Sequence, residues 1–169
     1  MSDSKRDILI VGLRNAYALE GQAIETLSNV QARLQHYPEL EAVVAAHLTE
    51  SRQQQESVEQ LLGSMGETPS ALKEAVMRLA GNVAAIAHIP AGDEVLKNLF
   101  ALFAFEHFEQ AAYRSLIAMA EDLGETATVQ TCRTILAQEE AAAQKLSGLI
   151  ESVTRAYVHL ESSGQTSKV

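Results

Sequence analysis

The chain has 169 residues, 47% hydrophobic and 5% aromatic with no tryptophan, which describes one globular domain able to bury about 70% of its unfolded surface. Its formal charge is −9, from 22 acidic against 13 basic residues, so nucleic-acid phosphates and anionic membranes are repelled and neither is an expected partner. The one cysteine, Cys132, excludes an intramolecular disulfide and fits a reducing, cytoplasmic setting.

The apolar run from Ile8 to Leu13 stops at Arg14. It is too short to span a membrane and lacks a small-residue cleavage site, so neither anchor nor secretory signal is expected. The first helix is predicted from about Ser4, a plausible N-cap, to Tyr37, where Pro38 turns the preceding residue away from helix. The second begins at Pro38 or Glu39 and ends among Gly63 to Gly66. Thr68-Pro69 opens a shorter helix over about 70–87, which Ile89-Pro90-Ala91-Gly92 breaks. The third long helix starts at the Asp93 cap and runs to Leu123, and a turn at Gly124 leads into the fourth, which continues to about His159. The expected fold is therefore all-α: an up-down four-helix bundle over 1–160, with a short extra helix in the second connection and a flexible tail over 161–169.

Each long helix carries an apolar stripe in steps of three and four, and glutamates interrupt every stripe. Glu20 lies three residues after Tyr17 and four before Ile24. Glu50 sits mid-stripe between His47 and Gln54, Glu106 and Glu109 between Leu102 and Tyr113, and Glu139 between Ile135 and Ala142. Burying a carboxylate costs several kcal/mol unless it is protonated, paired or bound to metal. In an antiparallel bundle, mid-helix residues also fall at one height, so their charges require a cation or protons.

These residues resemble the YciE/YciF family of bacterial ferritin-like stress proteins. Asn15-Ala16-Tyr17-Ala18-Leu19-Glu20-Gly21-Gln22 resembles its opening Asp-x-Tyr-x-Ala-Glu-x-Gln, and His47-Leu48-Thr49-Glu50 its His-Leu-x-Glu. Glu106-His107-Phe108-Glu109, with Tyr113 four residues on, is similar to its Glu-His-x-Glu-x-x-x-Tyr. Leu123-Gly124 and Glu139-Glu140 before Lys145-Leu146 complete a match over roughly 8–150. The resemblance implies a ferritin-like homodimer with a role in stress and a di-iron-type site. Its metal ligands would be Glu20, Glu50, Glu106, Glu109 and Glu139, and Tyr17, His47, Gln53 and Tyr113 would orient them or stand beside them. It also implies an oxidase- or peroxidase-like activity if a redox metal is bound.

The sequence departs from the ferritin-like pattern at two expected histidines, where Gln53 and Ala142 stand, and at Asn15 and Ala143. Fewer imidazoles favour hard cations, so iron, manganese, magnesium and zinc all remain candidates beside a metal-free scaffold acting by oligomerisation or partner binding. His47, one turn before Glu50, has the spacing to replace a missing imidazole or simply to hydrogen-bond. His107 lies about 100° off its stripe and is read as facing a neighbouring helix or a second subunit. His36, His88 and His159 lie at element ends and read as solvated, and Cys132 as a small core residue. Phe100, Phe103, Phe105 and Phe108 broaden the apolar face of the third helix towards the short helix or an oligomer surface. No nucleotide-binding loop or nucleophile triad is present.

Overall fold

Proline and glycine set most of the helix boundaries. The computed structural model describes residues 2–68, 72 and 94–164. Among these are four α-helices: α1 (Ser2–Gln31), α2 (Pro38–Ser64), α3 (Glu94–Leu123) and α4 (Thr126–Ser162). Pro38 occupies the first position of α2, where a missing N–H costs nothing. Gly66 and Gly124 adopt positive φ, 91° and 71°, and each closes a helix by a Schellman turn. Glu67 N–H reaches the Leu62 carbonyl at 3.0 Å, and Glu125 N–H the Ala120 carbonyl at 2.9 Å.

The first helix starts at Ser2, so Ser4 lies inside it rather than capping it, and it stops earlier than expected. It ends at Gln31, and residues 32–37 form turns rather than helix. These are held by Arg33 N–H on the Val30 carbonyl at 2.9 Å and Tyr37 N–H on the Leu34 carbonyl at 2.8 Å. A helix reaching Tyr37 would leave no residues to reverse the chain before α2 starts. Unwinding also turns Leu34 and Tyr37 into the core beside Leu40. The fourth helix continues past the expected boundary at 160 to Ser162. The predicted short helix over 70–87 and the end of the predicted tail lie outside the described residues, except for Leu72, which packs into the core.

In the bundle, α1 and α4 each contact both α2 and α3, leaving α1/α4 and α2/α3 as diagonal pairs. One apolar cluster joins Leu9, Leu13, Leu62, Leu116 and Ile135. A second joins Leu27, Leu40, Leu99, Leu102 and Leu146. The start of α1 therefore lies with the end of α2, the end of α3 and the start of α4, so the helix order is up-down-down-up rather than the simple up-down order expected, because α2 and α3 run the same way as a diagonal pair. Neighbouring helices are all antiparallel, and the chain passes from the end of α2 to the opposite end of the bundle before α3 begins. No described helix is long and apolar enough to cross a membrane.

Candidate metal centre

Between the two apolar clusters lies one polar layer. Every helix supplies it at the position where its apolar stripe is interrupted: Glu20 from α1, His47 and Gln54 from α2, Glu106, Glu109 and Gln110 from α3, and Glu139 from α4 are all buried. The i, i+3 and i, i+7 spacings put Glu106, Glu109 and Tyr113 on one face of α3, as do His47, Ser51 and Gln54 on α2.

His47 is the hub. Its Nε2 lies 2.9 Å from Glu106 Oε2 and 3.5 Å from Glu139 Oε2, while Nδ1 lies 3.3 Å from Glu50 Oε2. Its contact with Glu106 has the distance of an ion pair but not the alignment of a hydrogen bond. One ligand atom from each of His47, Glu106, Glu109 and Glu139 lies within 4.8 Å of the others. Ligands on opposite sides of a small divalent ion are about 4.2 Å apart, so modest side-chain shifts suffice to surround one. On the α1 side, Tyr113 donates its hydroxyl to Glu20 Oε1. Gln54 Nε2 donates to Gln138 Oε1 at 3.2 Å, and Gln110 Nε2 to the Glu139 main-chain carbonyl at 3.3 Å.

The remaining oxygens are bare. Both oxygens of Glu109 and of Glu139, with one each of Glu20 and Glu106, are buried without a hydrogen-bond donor. Two carboxylate oxygens no more than 4.8 Å apart repel by at least about 3 kcal/mol at an effective dielectric of 20, so the layer needs neutralising charge. Protons are one source. Burial raises Glu20 to about 7 against the opposing Tyr113 bond. Burial and Glu106 push Glu139 up to about 10, and burial with three neighbouring glutamates holds Glu109 well above the carboxylate range. Burial disfavours the His47 cation, but Glu106 and Glu50 outweigh it and raise the imidazole. A divalent cation is the other source, and the donors fit it. Three carboxylates and an imidazole converge, and the second ring nitrogen of His47 faces the Glu50 carboxylate, the usual partner of a metal-binding histidine.

The structure brings together Glu106, Glu109 and Glu139, with Glu20 behind Tyr113 in the same layer. Glu50 stands at the rim, its side chain 32% exposed. Tyr17 does not bond a carboxylate; it is half-buried, and burial with the nearby Glu59 charge raises its hydroxyl. Gln53 is exposed and faces a surface cleft, because the phase set by His47, Ser51, Gln54 and Val58 turns it outward. Its neighbour Gln54 holds the inward place. Ala142 is buried without a donor, so His47 is the imidazole of the layer. The stripe of α3 does not single out Gln110; its bond to the Glu139 backbone emerges only once α3 and α4 lie side by side. His107 is exposed and meets Phe103 edge to face, with ring centroids 4.7 Å apart. His36 and His159 are exposed, and His88 lies outside the described residues. Cys132 is buried, and burial pushes its thiol up to about 12, which leaves it inert.

Fold and layer together define an antiparallel helical bundle built around a carboxylate-histidine core. Residues 4–159 match the family described as "Domain of unknown function (DUF892)", and the chain belongs to that family. Among solved structures it is similar to a protein of Xanthomonas campestris pv. campestris, at 30% identity and TM-score 0.79, over 94% of this chain and 99% of that one. YcfI of Rhodopseudomonas palustris is 27% identical, with TM-score 0.66 over 85% of this chain and 92% of that one. The stress protein YciF of E. coli shares the fold at 24% identity and TM-score 0.68, over 86% and 94% of the two chains.

Proposed function

We propose that this chain is a ferritin-like, stress-associated protein whose core layer binds divalent metal. His47, Glu106, Glu109 and Glu139 form one cation position, and Glu20 and Glu50 flank it for a second. The observation that carries this reading is the convergence of four ligand atoms within 4.8 Å among buried oxygens that have no donor. The stress role rests on the likeness to YciF. A bound iron or manganese would supply the electron transfer of an oxidase or peroxidase, whereas magnesium or zinc would serve structure. The chain's own part is to hold the ion, to orient His47 through Glu50, to keep Glu20 in place through Tyr113, and to exclude bulk water with the apolar clusters. Elemental analysis of untagged protein purified without chelator, then loaded with Fe(II) or Mn(II), tests this. Fewer than about 0.2 ions per chain after loading sinks it.

A metal-free scaffold is the second reading, favoured by the Tyr113–Glu20 bond and by the Glu139 carboxyl, which burial and Glu106 push up to about 10. Under it, a Glu106→Gln, Glu139→Gln double variant is at least as stable as the parent, and metal stabilises neither. In both readings the assembly is a cytoplasmic homodimer, for which Phe100 and Phe108, 47% and 60% exposed on α3, offer apolar surface; sedimentation of a Phe108→Asp variant checks it.

A further inference from the structure

The two apolar clusters shut the carboxylate layer from either end of the bundle, so a hydrated cation reaches it through a flank. Two depressions adjoin the layer. The larger, about 600 Å³, lies between α3 and α4. Its wall carries the Arg114–Glu140 ion pair at 2.7 Å, which ties up the one carboxylate that lines it. Its floor is closed by buried Ala143 and by Gln110, whose amide is occupied with the Glu139 main chain.

The smaller cleft, about 240 Å³, lies between α2 and α4 and differs in chemistry. Gln53, Gln54 and Ser57 line it from α2, and Thr131, Thr134 and Gln138 from α4; Ile135 is the one apolar residue. Neutral hydroxyl and amide oxygens can replace waters of a hard cation in turn without trapping it by charge. The floor is Gln54, only 1% exposed, whose Oε1 is buried with no donor. Behind it stands Glu139, the residue after Gln138 on α4 and a member of the buried ligand group. Glu50 lies one turn from Gln54 and two turns from Ser57 on the same face of α2. It is the most exposed of the five glutamates.

We infer that the α2/α4 cleft is the inlet by which divalent cations load the buried layer, with the Gln54–Gln138 amide pair as its inner gate and Glu50 as the first carboxylate met. The inference rests on the metal-binding reading above. The gate is held by the Gln54–Gln138 bond and opens when the half-buried Gln138 side chain rotates away from it.

The test follows Co(II) uptake by chelator-stripped, full-length protein in a stopped-flow spectrometer, with a calorimetric titration for the equilibrium. Plugging the cleft with Ser57→Phe lowers the association rate constant about tenfold or more while Kd stays within about threefold, because release slows in step. Thr134→Leu has the same sign and stands in if Ser57→Phe unfolds. Removing the gate with Gln138→Ala speeds uptake by about threefold or more. Ser147→Phe, which fills the α3/α4 groove, leaves the rate unchanged. Parental rates in both plugged variants, or slowing by Ser147→Phe alone, overturn the inlet while the metal reading stands. A parent that binds no Co(II) at equilibrium overturns the metal reading and the inlet with it.

Discussion

The Tyr113 hydroxyl and the Glu20 carboxyl are each the other's buried partner. Replacing Tyr113 with Phe keeps the ring but leaves a carboxyl oxygen without its donor. The metal-free protein should lose about 1–3 kcal/mol in urea unfolding, and Glu20 should titrate higher than about 7, since that bond now lowers it. No measurable loss would show that the pair is not made. The pH dependence of the layer runs against ordinary acid denaturation. Glu20 rises from 4.5 unfolded to about 7 folded, so its contribution is fully present below about pH 4.5 and is lost as pH rises through 7. Glu139 extends the loss towards pH 10, and the raised His47 works in the same direction. In chelator, the parent should therefore lose stability between pH 5 and 8 relative to Glu20→Gln; parallel curves for the two would refute this.

Along a helix, one residue is 100° of rotation, and that decides what a sequence can disclose. The five glutamates are legible because each lies in phase with apolar residues over several turns. Gln54 is legible too, as a member of the α2 stripe, whereas Gln53 is singled out only by the family pattern and the phase of that stripe turns it outward. His47 is ambiguous, as its role depends on Glu106 arriving from the diagonal helix. The end of α1 is misplaced by spacing because Pro38 is a strong local signal, whereas the need for a reversal before it is a tertiary requirement. Helix contact also separates two glycines. A β-carbon added at Gly148 would have nothing within 4 Å, whereas one at Gly12 would meet Leu116 Cδ2 at 2.8 Å. Gly148→Ala should stabilise by about 0.5–1 kcal/mol through helix propensity. Gly12→Ala should bring no gain, because overpacking at the α1/α3 contact offsets it. Equal stabilisation of both variants in thermal unfolding would mean that α1 and α3 are not so close.

Across the bundle, a polar layer between two apolar ones makes stability depend on what neutralises it. A cation present at about 100 times its Kd adds about 2.7 kcal/mol, which for a chain of this size raises Tm by roughly 5–10 °C. Calorimetry with and without chelator should show that rise in the parent and none in Glu109→Gln if Glu109 is a ligand. The helical class and the glutamates of the layer are readable from periodicity and punctuation. The relative direction of the helices is not, because the stripes say which face is buried and nothing of which neighbour buries it.

The up-down-down-up order has a further consequence for how the molecule assembles. The two hairpins, α1 with α2 and α3 with α4, are local in sequence and can form early. Glu20, His47 and Glu50 belong to one, and Glu106, Glu109 and Glu139 to the other. Docking therefore sets His47, Glu50 and Glu20 against three acids already gathered on the other hairpin, and a proton or cation captured there acts as a latch between the halves. The α2/α4 cleft lies on this same join. Slight breathing of one hairpin against the other widens it without unwinding a turn, so loading and the last act of folding share a single seam.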